Sequence, residues 1–202
     1  MDSDFIRFQK FIERFQILNS DDKEFLKSST KTITLSKRTH YLESGRVCNY
    51  VGFILDGIMR TYSIDNNGDE ITMYFIKENQ FAVDIESFNS RKISDINIQA
   101  ITDCKLIQID FNDFEYLKNN ISSWGQITLE ITNYALLEKL RNRSSLVAED
   151  APTRYEKFIQ EQPEIVQRVP LIYIASYLGI TPQSLSRIRK SFLKKSVINK
   201  AP

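Results

Sequence analysis

The chain has 202 residues, of which 42% are hydrophobic and 26% charged, with a formal net charge of +1. This length can bury one or two cores, and the composition is that of globular proteins, which excludes disordered and fibrous classes. No stretch approaches the ~20 consecutive apolar residues that cross a bilayer, and the charged N-terminus lacks the apolar run of a signal peptide. We therefore expect a cytoplasmic protein with no membrane partner.

The first part of the chain predicts two helices followed by a set of strands. Residues 4–29 carry apolar side chains at helical spacing, interrupted by polar residues at 19–22 that suit a helix cap. From Thr30 onward, short runs rich in β-branched and aromatic residues alternate with turn sequences such as Asp56-Gly57. About seven or eight short strands at this spacing indicate an antiparallel barrel or jelly roll.

Alternation along these strands predicts which side chains face the barrel interior. On this pattern we expect Phe53, Leu55, Met73 and Phe75 to line it. Such an interior either is packed core or holds an apolar ligand, and we favour packed core.

Residues 122–146 predict one long helix, because the stretch lacks proline and its apolar residues step by three or four. A helix of ~25 residues spans ~37 Å, which is longer than a small domain needs. We therefore predict that it pairs two copies of the chain, although it could instead pack on the barrel of its own subunit. The expected pairing residues are Ile127, Ile131, Tyr134 and Leu137. A hinge at residues 148–152 precedes a further helix.

The segment from Val169 to Lys190 has the order of a helix-turn-helix motif. Pro170 suits the first turn of one helix, Gly179 the left-handed turn that ends it, and Thr181 the cap of the next. Beyond position 164 the chain has seven basic residues and no acidic residue. We predict that the second helix enters the major groove of DNA, against the alternative of a helical hairpin without a nucleic-acid role.

The second helix offers candidates for both base and phosphate contacts. Gln183 and Arg187 suit base reading, because Gln pairs with adenine and Arg with guanine in bidentate geometry. Ser184 suits either bases or the backbone. Phosphate contacts are assigned to Thr181, Arg189, Lys190 and Lys194. The few residues after Lys190 suffice for one short strand, so we expect a complete chain with a minimal wing.

Histidine and cysteine content limits the chemistry. His40 is the single histidine, and Cys48 and Cys104 are the two cysteines. Zinc sites need three or four ligands and iron–sulfur clusters typically four thiolates, so we expect no metal and no cofactor. Counting alone leaves open a haem on His40 or Cys48, although we favour a strand histidine and buried thiols. Because phosphate-loop, nucleophile-elbow and zinc-protease motifs are also missing, we do not expect an enzyme.

As a whole, the chain resembles the family of the cyclic-AMP receptor protein and the fumarate–nitrate regulator (Crp/Fnr). The matching segments are residues 43–45, 53–60, 68–71 and 100–106, followed by the long helix and the C-terminal motif. The resemblance implies an α+β chain, a homodimer that binds double-stranded DNA, and RNA polymerase as a partner to consider. The implied parts are a jelly-roll sensory domain over 1–120, a dimerisation helix over 121–147 and a winged helix-turn-helix over 148–202.

The effector pocket departs from the family pattern. Members that bind cyclic nucleotides carry a Phe-Gly-Glu segment about ten residues before an Arg that pairs with the phosphate. In this chain those places hold Val83 and Asp84, then Ser94 and Asp95. Neither Ser94 nor Asp95 can neutralise a phosphate, so we predict a degenerate pocket and no control by cyclic AMP.

Two other functions stay open from the sequence. Arg91 and Lys92 lie close enough that a shifted loop would bring a cation into the pocket. The chain would then be a sensor of a small molecule, cyclic nucleotides included, whose binding in the barrel controls DNA binding. The second of these functions is that of a protein-interaction module that acts through the barrel surface.

Overall fold

The structure, a computed structural model, describes residues 3–143 and 149–198. Its strands form two antiparallel sheets, with the orders β1-β8-β3-β6 and β2-β7-β4-β5. The strands are β1 Lys31–Leu35, β2 His40–Leu42, β3 Tyr50–Asp56, β4 Met59–Ile64, β5 Glu70–Ile76, β6 Phe81–Ala82, β7 Asn97–Ala100 and β8 Cys104–Asp110. This pair of sheets, called the sandwich below, agrees with the predicted antiparallel β architecture.

Helices flank the sandwich along the chain. Before and within it lie α1 Ser3–Ile12, α2 Ser20–Ser28 and α3 Ile85–Ser90, and after it α4 Phe111–Asn120 and α5 Trp124–Arg143. The C-terminal helices are α6 Ala151–Glu161, α7 Pro163–Arg168, α8 Leu171–Tyr177 and α9 Pro182–Ile198. The predicted cap of α2 is confirmed, because Asn19 accepts from the Asp22 N–H at 2.8 Å.

One apolar cluster fills the space between the two sheets. Its members from the strands include Ile54, Met59, Ile76, Ile98 and Leu106. The interior is therefore packed with side chains from both sheets.

The residues that the alternation placed in this interior lie elsewhere, and that prediction is wrong. Phe53 and Leu55 pack against α1 and α5 on the outside of the sandwich. Phe75 packs against the C-terminal helices, and Met73 is 41% exposed. The physical reason is that β3 is buried on both faces, so alternation along it does not distinguish inside from outside.

A bulge in β5 changes which of its residues face outward. Thr61 lies opposite Tyr74, but the next residue, Tyr62, lies opposite Thr72, so the pairing skips Met73. Because side chains alternate along a strand, one skipped residue reverses the facing of all those before it. The bulge thereby puts Glu70 on the outer face, beside Arg60 of β4.

The C-terminal helices pack around their own apolar cluster and against β5. The cluster includes Tyr155, Phe158, Ile174, Leu178 and Leu185. Residues 191–198, where we expected a short wing strand, continue α9 as helix. No proline or glycine interrupts α9 after its first residue, so nothing in the backbone ends it there. The expected wing could fall only on residues 199–202, which lie outside the described residues.

Candidate nucleic-acid interface

The turn between α8 and α9 has the geometry that the sequence predicts. Gly179 follows α8 with φ +64°, in the left-handed region that glycine adopts without steric cost. Thr181 caps α9, since its Oγ1 accepts from the Ser184 N–H at 3.2 Å. Ala175 is fully buried at the contact between the two helices, where a larger side chain would hold them apart.

The outer side of α9 presents polar and basic side chains to solvent. Gln183, Arg187 and Lys190 are exposed, and their spacing of four and three residues places them on one side of the helix. We call these three residues the reading face. Thr181 is also exposed at the start of the helix, while Ser184 is half-buried. The side chain of Lys194 lies outside the described residues.

Arg189 differs from the other predicted DNA contacts because it lies on the inner side of α9. It is half-buried and adjoins the Tyr155 hydroxyl. Burial raises the pKa of Tyr155, and the charge and hydrogen bond of Arg189 oppose that rise. This placement gives Arg189 a contact within the C-terminal helices in addition to the predicted phosphate role.

The degenerate effector pocket lies in residues 83–95, which we call the cassette. Asp84 caps α3 and accepts from the Ser87 N–H at 3.2 Å. The second oxygen of the same carboxylate accepts from the Ser94 hydroxyl at 2.7 Å. Ser94 is buried, Val83 packs against the cluster between the sheets, and Asp95 is exposed. Both Asp84 oxygens are therefore engaged by the cassette itself.

Ser87 and Arg91 connect the cassette to the segment around Cys48 in the same chain. The sequence did not indicate this role for Ser87. The Ser87 hydroxyl accepts from the Cys48 N–H at 2.9 Å and donates to the Lys92 carbonyl at 2.6 Å. Arg91 donates to the Cys48 carbonyl at 3.0 Å, and its guanidinium lies 4.0 Å from the centre of the Phe111 ring. Arg91 is thus engaged by Cys48, Asn49 and Phe111 in this structure. No sequence motif singles out Ser87, because its partners are backbone groups.

The histidine and the two cysteines have structural contacts. The Nε2 atom of His40 lies 2.9 Å from the Tyr62 hydroxyl. Cys48 and Cys104 are buried, and burial raises the pKa of Cys104 to about 11. Among the described residues, no three His, Cys, Asp or Glu side chains gather as metal ligands would, and no helix is both long and apolar enough to span a bilayer.

Helix α5 has two apolar sides rather than the one predicted stripe. On the inner side, Ile127 is buried and Ile131 half-buried in the core of the chain itself. Tyr134 packs edge-on against Phe15 at 6.0 Å between ring centres. Of the four predicted pairing residues, Leu137 is the one whose side chain makes no part of that core and is more than half exposed.

The outer side of α5 carries leucines that the four predicted pairing residues do not include. Leu129, Leu136 and Leu140 are 54%, 52% and 55% exposed. Spacings of seven and four residues align them on the side opposite Ile127 and Ile131. We call these three leucines the outer face of α5. The signal for it was present in the sequence, but the continuous stripe on the inner side concealed it.

Residues 32–120 match the family model of the cyclic nucleotide-binding domain. No curated protein matches the chain. A crystal structure described as a putative transcriptional regulator of the crp/fnr family from Eubacterium rectale superposes with a TM-score of 0.69 at 19% identity, over 88% of this chain and 85% of that chain.

Two further solved structures share the fold. FixK2 from Bradyrhizobium japonicum has a TM-score of 0.70 and 16% identity, over 83% of this chain and 86% of its own. CLP from Xanthomonas campestris, described as a c-di-GMP responsive global regulator, has a TM-score of 0.69 and 16% identity, over 88% of this chain and 93% of its own. Residues 32–120 are therefore similar to cyclic nucleotide-binding domains, and the chain has the fold of Crp/Fnr regulators, as the resemblance implies.

Proposed function

We propose that the chain is a sequence-specific, DNA-binding transcription regulator of the Crp/Fnr type that acts as a homodimer and is not controlled by cyclic AMP. The observation that carries the proposal is the reading face. A capped helix follows a glycine turn and presents one amide and two cations on a single exposed side. Phosphates attract these cations, and Arg and Gln suit the edges of guanine and adenine.

The outer face of α5 supports the homodimer. Its three leucines form an exposed apolar strip on a helix whose other side is already buried. Two such strips that pack against each other would exclude water from both. In a twofold dimer the two reading faces are related by symmetry, which fits a pseudo-palindromic site with half-sites about one turn of DNA (~34 Å) apart.

The cassette supports independence from cyclic AMP. A bound phosphate needs a cation or free N–H groups, but Asp84 places a carboxylate there, bonded to Ser94 and to a backbone N–H. Arg91, the arginine within the cassette, is engaged by Cys48 and Asn49. A nucleotide phosphate would therefore have to displace bonds that the cassette makes with itself.

The dimer can be tested apart from the DNA contact. Leu136→Asp puts a charge in the outer face of α5, and sedimentation should show a monomer where the unaltered chain sediments as a dimer. Ile17→Asp is the matched control, because Ile17 is 82% exposed and lies outside α5. Gel-shift assays use duplexes that the unaltered chain recovers from a random pool. In these assays Leu136→Asp should bind weakly, whereas Ile17→Asp should bind like the unaltered chain. Equal dimerisation and binding by both variants would contradict the proposal.

A second candidate function, a small-molecule sensor, is favoured by a groove beside β2. The groove has a volume of about 430 Å³ and is lined by residues between Thr39 and Tyr50. One of them, Tyr41, has a buried hydroxyl for which the described residues supply no hydrogen-bond partner. Burial raises the pKa of this phenol well above its usual value, so it stays protonated and can donate. Native mass spectrometry of the purified protein would reveal a retained ligand, and Tyr41→Phe should release it.

A further inference from the structure

The side chain of Ser176 on α8 caps the outer edge of β5. The Thr72 N–H donates to the Ser176 hydroxyl at 2.8 Å, and the same hydroxyl donates to the Glu70 carbonyl at 2.8 Å. Because β5 is the last strand of its sheet, these backbone groups point away from β4. One serine thus satisfies a donor and an acceptor that would otherwise need water or another strand.

Next to this edge, a buried arginine joins the sandwich to α8. Arg60 is 1% exposed, and its guanidinium lies 4.0 Å from the ring centre of Tyr62 and 3.9 Å from that of Tyr173. It forms an ion pair with Glu70 and donates to the Gln99 side chain at 2.9 Å. Tyr62 belongs to the sandwich and Tyr173 to α8, so the cation is enclosed only while α8 is in place.

Ion pairs and rings extend the contact around this centre. Lys77 of the sandwich pairs with Glu164 of α7, and Arg168 pairs with Glu78 at 2.8 Å. The ring of Phe75 packs on Tyr177 at 5.5 Å between centres. The contact between the sandwich and helices α7 and α8 therefore combines apolar packing, the cap on the edge of β5, and ion pairs.

We propose that these contacts form a latch that holds α8, and with it the reading face of α9, in one orientation relative to the sandwich. The latch engages α7 and α8 but leaves Gln183 and Arg187 exposed, so the latched arrangement is open to DNA. The Gln80 side chain also donates to Glu138 of α5 at 2.8 Å, so the sandwich contacts the pairing helix as well. In a dimer, the latch would fix the separation of the two reading faces.

The latch rests on the proposed function, and it makes a claim of its own. With the latch closed, both reading faces of a dimer meet their half-sites without further ordering, which favours binding to two half-sites together. With the latch open, each reading face can still meet one half-site. Opening it should therefore weaken binding to a two-half-site duplex and spare binding to a single half-site. Ser176 and Tyr173 act here as positioning residues.

The first experiment measures the latch itself in the full chain. Exchange of the Thr72 amide reports the Ser176 bond, and spin labels at exposed positions 89 and 190 report the distance between cassette and α9. In Ser176→Ala and Tyr173→Ala, we expect faster Thr72 exchange and a broadened distance distribution. Ile172→Ala is the control, because Ile172 is exposed on the same helix. An unchanged narrow distribution in Ser176→Ala and Tyr173→Ala would overturn the latch, whether or not the chain binds DNA.

The second experiment measures the consequence for DNA. The probes are a duplex that the unaltered chain selects from a random pool and the same duplex with one half-site scrambled. We expect Ser176→Ala and Tyr173→Ala to lose about tenfold in affinity for the intact duplex and less than about twofold for the scrambled one. Equal losses on both duplexes would overturn the positioning role. If the unaltered chain selects no DNA, the proposed function fails, while the distance measurement still decides whether the latch exists.

Discussion

The cassette and the reading face use the same kinds of polar side chain in opposite ways. In the cassette, the Asp84 carboxylate is occupied by the Ser94 hydroxyl and a backbone N–H, and Arg91 is engaged by the carbonyl of Cys48. On α9, Gln183 and Arg187 extend into solvent from a rigid, capped helix. Polar groups that are satisfied within the fold stabilise it, whereas exposed ones on a rigid element are free to recognise a ligand. We therefore propose that α9 recognises DNA and that the cassette has a structural role.

The largest effect is expected at the reading face. Arg187→Ala should cost about 1–3 kcal/mol of DNA binding at one base position and leave the free energy of unfolding unchanged. The reason is that an exposed arginine adds little to the fold but pairs with a guanine edge when DNA is bound. Competition binding with single-base variants of the selected duplex measures it.

Lys190→Ala is the matched control for this change, because Lys190 lies on the same side of α9 but suits phosphate. It should lower affinity for all sequences alike. If Arg187→Ala also weakened specific and random DNA equally, Arg187 would contact the backbone, and the assignment of base reading to this residue would be wrong.

In the cassette we expect a smaller effect, on the free energy of unfolding rather than on DNA binding. Asp84→Ala removes the cap of α3 and one partner of the buried Ser94 hydroxyl, which should lower the free energy of unfolding by about 1–2 kcal/mol. Chemical denaturation measures it. Asp84→Asn keeps a capping oxygen and should cost less. If Asp84→Ala instead left stability unchanged, the hydrogen bonds within the cassette would not stabilise the fold as described above.

The ion pairs between the sandwich and α7 predict a weak dependence of the free energy of unfolding on pH. The hydrogen bond from Lys77 holds the pKa of Glu164 below its usual value. A lowered pKa in the folded state stabilises the fold above the ordinary glutamate pKa of ~4.3, and this stabilisation is lost as the pH falls through the lowered pKa. Because Glu164 is partly exposed, solvent screening limits its contribution to under about 1 kcal/mol.

This dependence can be measured by comparing the unaltered chain with Glu164→Gln. Their free energies of unfolding should differ near neutral pH and converge in acid, where Glu164 is protonated in both folded and unfolded states. A difference that stays constant with pH would show that the contact between Lys77 and Glu164 does not depend on the charge of the carboxylate.

Cyclic nucleotides are expected to have no effect on the thermal stability of the chain. A ligand that binds the folded chain at 100 times its Kd would add ~2.7 kcal/mol of stability, which a thermal melt detects easily. With millimolar cyclic AMP or cyclic GMP, we expect no shift in Tm and no saturable heat in calorimetry. Micromolar binding of either nucleotide would erase the contrast between cassette and reading face.

Local chemistry made the turn between α8 and α9 predictable from the sequence. A glycine that ends one helix and a threonine that caps the next act through their own backbone neighbourhood, so single residues identify them. The strand pattern and the long helix could also be recognised, because the spacing of apolar residues along the chain is likewise a local signal.

Contacts between distant parts of the chain were not predictable in this way. The bulge at Met73 places Glu70 on the outer face of its sheet, and a methionine at that position does not predict a bulge. The stacking of Tyr173 on Arg60 joins residues more than a hundred positions apart, which a single sequence does not reveal. The outer face of α5 was missed because both sides of that helix are apolar, and only packing shows which side is already buried.

The central claim is that the reading face recognises a specific DNA sequence without a cyclic nucleotide. Selection from a random duplex pool by the full chain, with no nucleotide added, tests it most directly. We expect an enriched pseudo-palindrome with half-sites about one turn apart, and a changed preference in Gln183→Ala and Arg187→Ala. No enrichment over the starting pool, or an enrichment that these two substitutions leave unchanged, would contradict the claim.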